Sequence, residues 1–318
     1  MNTVQFSIIM TVIGIALMAG AHYLNADYFY YASYIILQYV VLATAWNILG
    51  GYCGYVNFGS AAFFAIGAYA TVFMSKALPL PLPLLILIGG AASGIAGLVM
   101  GYLALRLRGS FFAIATLALA VVLQTFVVNW DYVGGSRGAY VIRPDNLEVA
   151  GFQINYIEYL FGIMMGLSLI SLIAARAIER SRFGYGLATI RDDELAAEAC
   201  GVPTLRLKLI ATTISGAFMG MAGAPFPLYI GYLQPSSAFG LEYALNSIAM
   251  PMVGGTTSWA GPLIGALLLG SAQQYVTVTI SSAANLLISG IMLIAFVIIA
   301  PRGLVGIAEA LFRRRERS

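Results

Sequence analysis

The sequence predicts an all-α polytopic membrane protein, a helical bundle of about eight to ten transmembrane helices with one short cytoplasmic coupling helix. Three observations carry this. Of 318 residues, 60% are hydrophobic and 9% charged, with a mean hydropathy of +0.89, against roughly a quarter charged in a soluble domain. The apolar runs are continuous and approach the roughly 20 residues a helix needs to cross a hydrocarbon core of about 30 Å, whereas strands of a membrane barrel alternate in short segments. Most of the charge is gathered in one interruption, Ser181 to Lys208, which holds Arg182, Arg191, Arg206 and Lys208 beside Asp192, Asp193, Glu194 and Glu198.

Taken in order, the spans fall at about 3–21, 28–49, 56–75, 80–105, 110–130, 156–175, 208–231, 243–257, 260–279 and 283–300. Residues 1–10 carry no Lys or Arg, so the first apolar run lacks the positive flank of a signal peptide and reads as an uncleaved helix. The third span begins in glycine and the eighth is short; either is expected to be broken or re-entrant. Discarding doubtful spans in pairs gives eight helices with the same sidedness. Basic residues cluster at Arg106/Arg108, between Arg176 and Lys208, and in the tail at Arg302, Arg313, Arg314, Arg315 and Arg317. The positive-inside rule places all three clusters on the cytoplasmic side. Two spans separate the first cluster from the second and four the second from the third, so the parity holds. Both termini and the loop 181–208 then lie inside, and the loop 131–155, with Arg137 and Arg143 against Asp131, Asp145 and Glu148, lies outside.

Several chemistries are excluded. The net charge of +3 comes from residues at span ends, which orient a membrane protein and give no nucleic-acid surface. His22 is the single histidine, and Cys53 and Cys200 are the two cysteines; no metal-ligand spacing, disulfide or Ser-His-Asp arrangement follows. Neither Lys76 nor Lys208 sits in a G-x-x-x-x-G-K-[ST] loop, so this chain holds no P-loop for ATP.

Small residues let helices approach closely in lipid. Glycines recur at four-residue spacing at Gly50/Gly54, Gly90/Gly94, Gly97/Gly101, Gly162/Gly166, Gly216/Gly220 and Gly261/Gly265, the pattern of packing seams within one chain. A faint echo between Leu49-Gly50-Gly51 and Val253-Gly254-Gly255 is what a transporter built from related halves shows.

Within the charged interruption, Ala188 to Cys200 reads as one helix, acidic early and stopped at Gly201 with Pro203 beyond. Ile190, Glu194 and Ala197 share one of its faces. Leu195, Ala196 and Ala199 form a small apolar face suited to a groove on another protein, although a solvated connector has the same pattern.

Five blocks resemble the permeases of branched-chain amino acid ABC importers: residues 46–70 (WNILGGYCGYVNFGSAAFFAIGAYA), 105–120 (LRLRGSFFAIATLALA), 134–138 (GGSRG), 184–201 (GYGLATIRDDELAAEACG) and 253–265 (VGGTTSWAGPLIG). Their order and spacing cover nearly the whole chain, and the second and third are closer to the M-type than to the H-type subunit. The resemblance implies a single transmembrane permease domain over 1–318 in a bacterial-type cytoplasmic (inner) membrane. Its partners would be a second, H-type permease, two cytoplasmic P-loop ATPases that bind ATP and Mg, and a periplasmic binding protein. It further implies that the cytoplasmic helix docks on an ATPase, with Arg191, Asp193, Glu194, Ala197, Glu198 and Gly201 as the contact strip. The general importer pattern, Glu-Ala-Ala followed three residues later by Gly, is altered here: Leu195-Ala196-Ala197 aligns with it and the acid moves to Glu194.

A charge at mid-bilayer costs about 2.5–3.5 kcal/mol or more, and the expected spans carry hardly any, with Glu158 and Glu242 near ends. Candidate pathway residues are therefore uncharged: Asn47, Asn57, Ser60, Gln124, Asn246 and Gln273, each equally readable as an interhelical hydrogen bond. Arg137 and Glu242 are candidates for contact with the binding protein. Cargo by resemblance is branched-chain or other amino acids, with urea, short amides or small carboxylates as alternatives. An ion-coupled secondary transporter would need an intramembrane ionisable site, and a membrane-embedded enzyme a catalytic cluster.

Overall fold

The computed structural model describes residues 3–24, 27–142, 146–149, 152–279, 290, 291, 294 and 303–306. Its helices are α1 (Thr3–Leu24), α2 (Asp27–Cys53), α3 (Ser60–Ala77), α4 (Leu82–Ala104) and α5 (Ser110–Val128), then α6 (Tyr156–Glu179), α7 (Arg182–Asp192), α8 (Glu194–Ala199) and α9 (Thr204–Gly223), then α10 (Phe226–Ile230), α11 (Pro235–Ala238), α12 (Leu241–Gly254) and α13 (Ala260–Thr279). Four short strands join them: β1 (Ala139–Tyr140) pairs antiparallel with β4 (Tyr232–Leu233), and β2 (Asn146–Val149) with β3 (Phe152–Asn155).

Six described stretches are long and apolar enough to cross a membrane: Tyr28–Cys53, Ser60–Ala77, Leu82–Ala104, Ser110–Val128, Tyr156–Glu179, and Thr204–Ile230, in which α10 continues α9. Helices α1, α12 and α13 stand where three further spans were expected. The tenth, 283–300, lies outside the described residues except at 290, 291 and 294, as do Arg143, Asp145, Arg302 and the basic tail. The chain is thus a multi-pass membrane protein.

Of the two doubtful spans the third starts late and the eighth is short, each for a local reason. Residues 54–59 are not helical and α3 starts only at Ser60. Gly54, at φ 80, takes the chain out of α2, and the Asn57 side chain then accepts from the Gly59 amide at 2.7 Å while the Trp46 indole N–H donates to the Asn57 carbonyl at 2.9 Å. Helix α12 has 14 residues, about 21 Å at 1.5 Å per residue, short of the about 30 Å hydrocarbon core. The preceding chain folds back through α10, β4 and α11, and Phe239 lies against Tyr69, Tyr243 against Phe64 and Ser247 against Ser60. Helix α12 therefore descends antiparallel to α3 from part-way along it.

The bundle has two chemically distinct ends. At one, Lys76 donates to the Tyr132 carbonyl at 2.9 Å, the Tyr232 hydroxyl donates to the Arg137 carbonyl, and β1 pairs with β4. At the other stand α7, α8, the α4–α5 connector and Glu179, which accepts from the Trp259 amide at 2.8 Å. Phe6 of α1 lies 3.9 Å from the Arg176 guanidinium of α6 and against Trp259, which puts the start of α1 at this same end.

Glycine sets the spacing between α3, α4 and α9. A β-carbon at Gly67 would overlap the Gly220 carbonyl, and one at Gly223 the Phe64 carbonyl. Gly90, Gly94, Gly97 and Gly101 all face α9, and Ser93 donates to the Phe63 carbonyl at 3.0 Å and the Gly216 carbonyl at 2.8 Å in turn. Gly265 meets the backbone of α12 in the same way, and Gly261 that of Gly255 just past its end. Two of the expected seams differ: Gly50 faces the Trp46 ring of its own helix, and Gly166 has nothing within 4 Å.

Candidate functional site

The charged segment does not form the single helix expected over Ala188–Cys200. Asp193 adopts an extended backbone (φ −159°, ψ 109°) and divides it into α7 and α8. The cause is competition by a short acidic side chain: the Asp193 carboxylate accepts from the Leu195 and Ala196 amides at 2.9 and 3.0 Å, satisfying donors that the start of a helix leaves open. The end of α8 is as sharp. Gly201, at φ 82, donates to the Glu198 carbonyl at 2.9 Å, and Val202 to the Ala197 carbonyl at 3.0 Å, the paired closing bonds that a left-handed glycine allows.

Between these caps Glu194 points back into the protein. Its carboxylate accepts from Lys208 Nζ at 2.6 Å and from the Tyr55 hydroxyl, with Arg108 Nε at 3.8 Å. Lys208 also reaches the Tyr55 hydroxyl at 3.1 Å and the Leu105 carbonyl at 3.3 Å. Glu198 accepts from the Thr204 hydroxyl at 2.8 Å and lies 3.6 Å from Arg108. Burial alone would raise the Glu194 carboxyl, but hydrogen bonds from Lys208 and Tyr55 and the nearby Lys208 and Arg108 charges hold it below its ordinary value. Burial, and then the Glu194 hydrogen bond, push the Tyr55 phenol up, so Tyr55 remains the donor and Glu194 the anion.

A carboxylate with a lowered folded pKa stabilises the fold above the ordinary value of about 4.3 and loses that contribution as pH falls through the lowered value. Protection of the Ala197 and Val202 amides, measured as the exchange rate relative to the intrinsic rate at each pH, is therefore expected to hold from about pH 5 to 8 and to be lost only in acid below the ordinary carboxylate value of about 4.3. Loss of protection on passing from pH 7 to 5 would contradict this assignment.

The expected contact strip is split by this geometry. Glu194 and Ala197 face their own chain, Ala197 being buried, and Asp193 is occupied as a cap. Arg191 donates to the Gly51 carbonyl at 3.4 Å and lies 3.5 Å from Asp192. What faces outward on α8 and its end is Leu195, Ala196, Glu198, Ala199, Cys200 and Gly201, Leu195 being 63% exposed.

Five of the six expected pathway residues are buried: Asn47, Asn57, Ser60, Asn246 and Gln273. Gln273 donates to Asn246 at 2.9 Å, Asn246 to the Tyr39 hydroxyl at 3.2 Å, and Ser60 and Ser247 are 2.8 Å apart, which ties α2, α3, α12 and α13 together through polar groups. Gln124 is half-buried on α5, apart from this set. Arg137 and Glu242 are both exposed, Arg137 at the β1–β4 end and Glu242 in the first turn of α12.

Lys208, Tyr55, Arg108 and Glu179 were not singled out as site residues. Lys208 left one signal, a lone lysine at the foot of an apolar span; Tyr55 left none, because its role depends on contacts across more than a hundred residues.

Apolar spans, a polar belt between them and a capped, outward-facing helix at one end define a multi-pass permease. The chain belongs to the family described as branched-chain amino acid transport system / permease component, whose model matches residues 28–297. It is 27% identical over 289 residues to the LivM protein of Salmonella typhimurium, named a high-affinity branched-chain amino acid transport system permease protein, covering 84% of this chain and 67% of that one. The LivM of Escherichia coli is 27% identical over 293 residues, 85% of this chain and 68% of its own. A LivH of Methanocaldococcus jannaschii, named a probable branched-chain amino acid transport permease protein, is 26% identical over 273 residues, 79% and 83% of the two chains. No solved structure matches the chain.

Proposed function

We propose that this permease is one of two membrane subunits of an ATP-driven importer, paired with an H-type subunit, served by two cytoplasmic P-loop ATPases and supplied by a periplasmic binding protein. Its cargo is branched-chain amino acids. The α8 end faces the cytoplasm and the β1–β4 end the periplasm, in a cytoplasmic membrane with the N-terminus inside; Arg137, at the β1–β4 end, is available to the binding protein, whereas Glu242 starts α12 part-way along α3 and stands back from that end. The observation that carries this reading is the outward apolar face of α8, Leu195, Ala196 and Ala199, held by caps at both ends. Such a face fits a groove on a partner.

ATP and Mg act on the ATPases. Closure of the paired ATPases moves two such helices and tilts the attached spans, opening the pathway to each side in turn. Of the charged side chains described as buried, Arg176 and Lys208 are both at the α8 end, and the one acid that stands part-way along the described bundle is Glu242, at the start of α12 beside Tyr243.

Purification from native membrane in mild detergent is expected to recover P-loop ATPases, a second permease and a binding protein, identified by mass spectrometry. The chain stripped of these partners is expected to show no ATP hydrolysis. Isolation of the chain alone, with ion-coupled leucine uptake in vesicles, would replace this reading with a secondary transporter.

A further inference from the structure

Lys208 stands out among the charged groups near the membrane end. It is 3% exposed, in the second turn of the apolar helix α9. An ammonium has three N–H donors, and here three acceptors meet it, each from a different element: Glu194 on α8 at 2.6 Å, the Tyr55 hydroxyl between α2 and α3 at 3.1 Å, and the Leu105 carbonyl at the end of α4 at 3.3 Å. The Leu105 carbonyl closes α4, where the helix dipole favours a cation. The Nζ also lies 4.6 Å from the centre of the Tyr55 ring.

The contacts are directional. Tyr55 donates to Glu194 and accepts from Lys208, so the three side chains form a closed ring of donors and acceptors. By contrast, the outer charge contacts of α8, Arg108 to Glu194 and Glu198, are at 3.8 and 3.6 Å with Arg108 half exposed, and exposed pairs of this kind contribute little. A force applied to α8 reaches the foot of α9 through Glu198–Thr204 and the core through buried Ala197, but only the ring around Lys208 joins it to three places at once: the foot of α9, the α2–α3 connector and the junction of α4 with α5.

We propose that Lys208 is the positioning residue of the coupling step: it fixes α8 to α9, α4 and the α2–α3 connector so that displacement of α8 by an ATPase moves these helices as one body. This rests on the reading that α8 receives the ATPase. Without Lys208 the ATPase still docks, because the outward face of α8 is untouched, but its stroke is lost in local movement of α8.

The test uses the complete complex in proteoliposomes and measures leucine taken up per ATP hydrolysed, together with ATPase retained on purification. Lys208→Met is expected to retain the ATPase and its hydrolysis while uptake per ATP falls roughly five-fold or more, the lower end of ordinary coupling strengths. Lys208→Arg, which keeps the charge and several donors, is expected to restore most of the ratio. Removing one member of a buried pair leaves the other uncompensated, so Lys208→Met is accompanied by the double variant Glu194→Gln/Lys208→Met, which removes both charges; it is expected to accumulate normally and remain uncoupled. Unchanged uptake per ATP in either variant overturns the proposal. Failure of both to accumulate assigns Lys208 to fold integrity alone and overturns it too. A wild-type complex without an ATPase is a different failure, that of the docking reading, and is visible before any variant is made.

Discussion

Gly67→Val is expected to abolish accumulation of folded protein, whereas Gly166→Ala leaves it unchanged. At Gly67 an added β-carbon overlaps the Gly220 carbonyl and α-carbon, which are backbone and cannot rotate away. Nor can α9 retreat: Gly220 is already against the Ser93 side chain and the Gly89 carbonyl of α4, and Gly89 lies against Gly67 itself. Three helices close on one another through glycine. Overpacking a core costs about 1–3 kcal/mol even when side chains can adjust, and here adjustment must move helices, so about 3 kcal/mol or more is expected. Gly166 has nothing within 4 Å and accepts a methyl group without cost. Membrane yield and detergent-stable monodispersity of the two variants check this, and normal yield of Gly67→Val would contradict the close backbone contact.

Leu195→Arg is expected to abolish transport with the bundle intact. Leu195 is 63% exposed on α8 and its side chain supports no buried cluster of this chain, so substitution leaves the fold alone. If α8 docks on the ATPase as proposed, the same side chain is an apolar anchor of that interface, and its loss is expected to cost about 2 kcal/mol or more, roughly 30-fold in affinity. Retention of ATPase on purification and leucine uptake are expected to fall together. Normal uptake by a normally folded Leu195→Arg variant would remove α8 from the docking surface.

The sequence made the membrane class, most span positions and the outward apolar face of α8 legible, because each follows from local composition and spacing. Gly201 was readable as a helix stop for the same reason. The break at Asp193 was not: a run of helix formers outweighs one Asp in any local reading, and only the cap it makes to Leu195 and Ala196 shows that it starts a second helix. Glu194 shared a face with Ile190 and Ala197, but whether that face turned outward or inward depended on Lys208, Tyr55 and Arg108, which are distant along the chain. Among the pathway candidates, Asn246 and Gln273 meet directly, whereas Gln124 shows that a polar residue within an apolar run can lie on a different face from the rest.

The most direct test of the account uses the two native cysteines. Cys200 is exposed at the end of α8 and Cys53 is buried, so a maleimide reports on α8 alone. In the purified importer Cys200 is expected to be protected, to become reactive when the ATPases are stripped off, and to cross-link to a P-loop subunit through a short photoactivatable maleimide. Equal reactivity of Cys200 before and after stripping, with no cross-link to an ATPase, would show that α8 is a solvated connector and that the chain is driven through another surface.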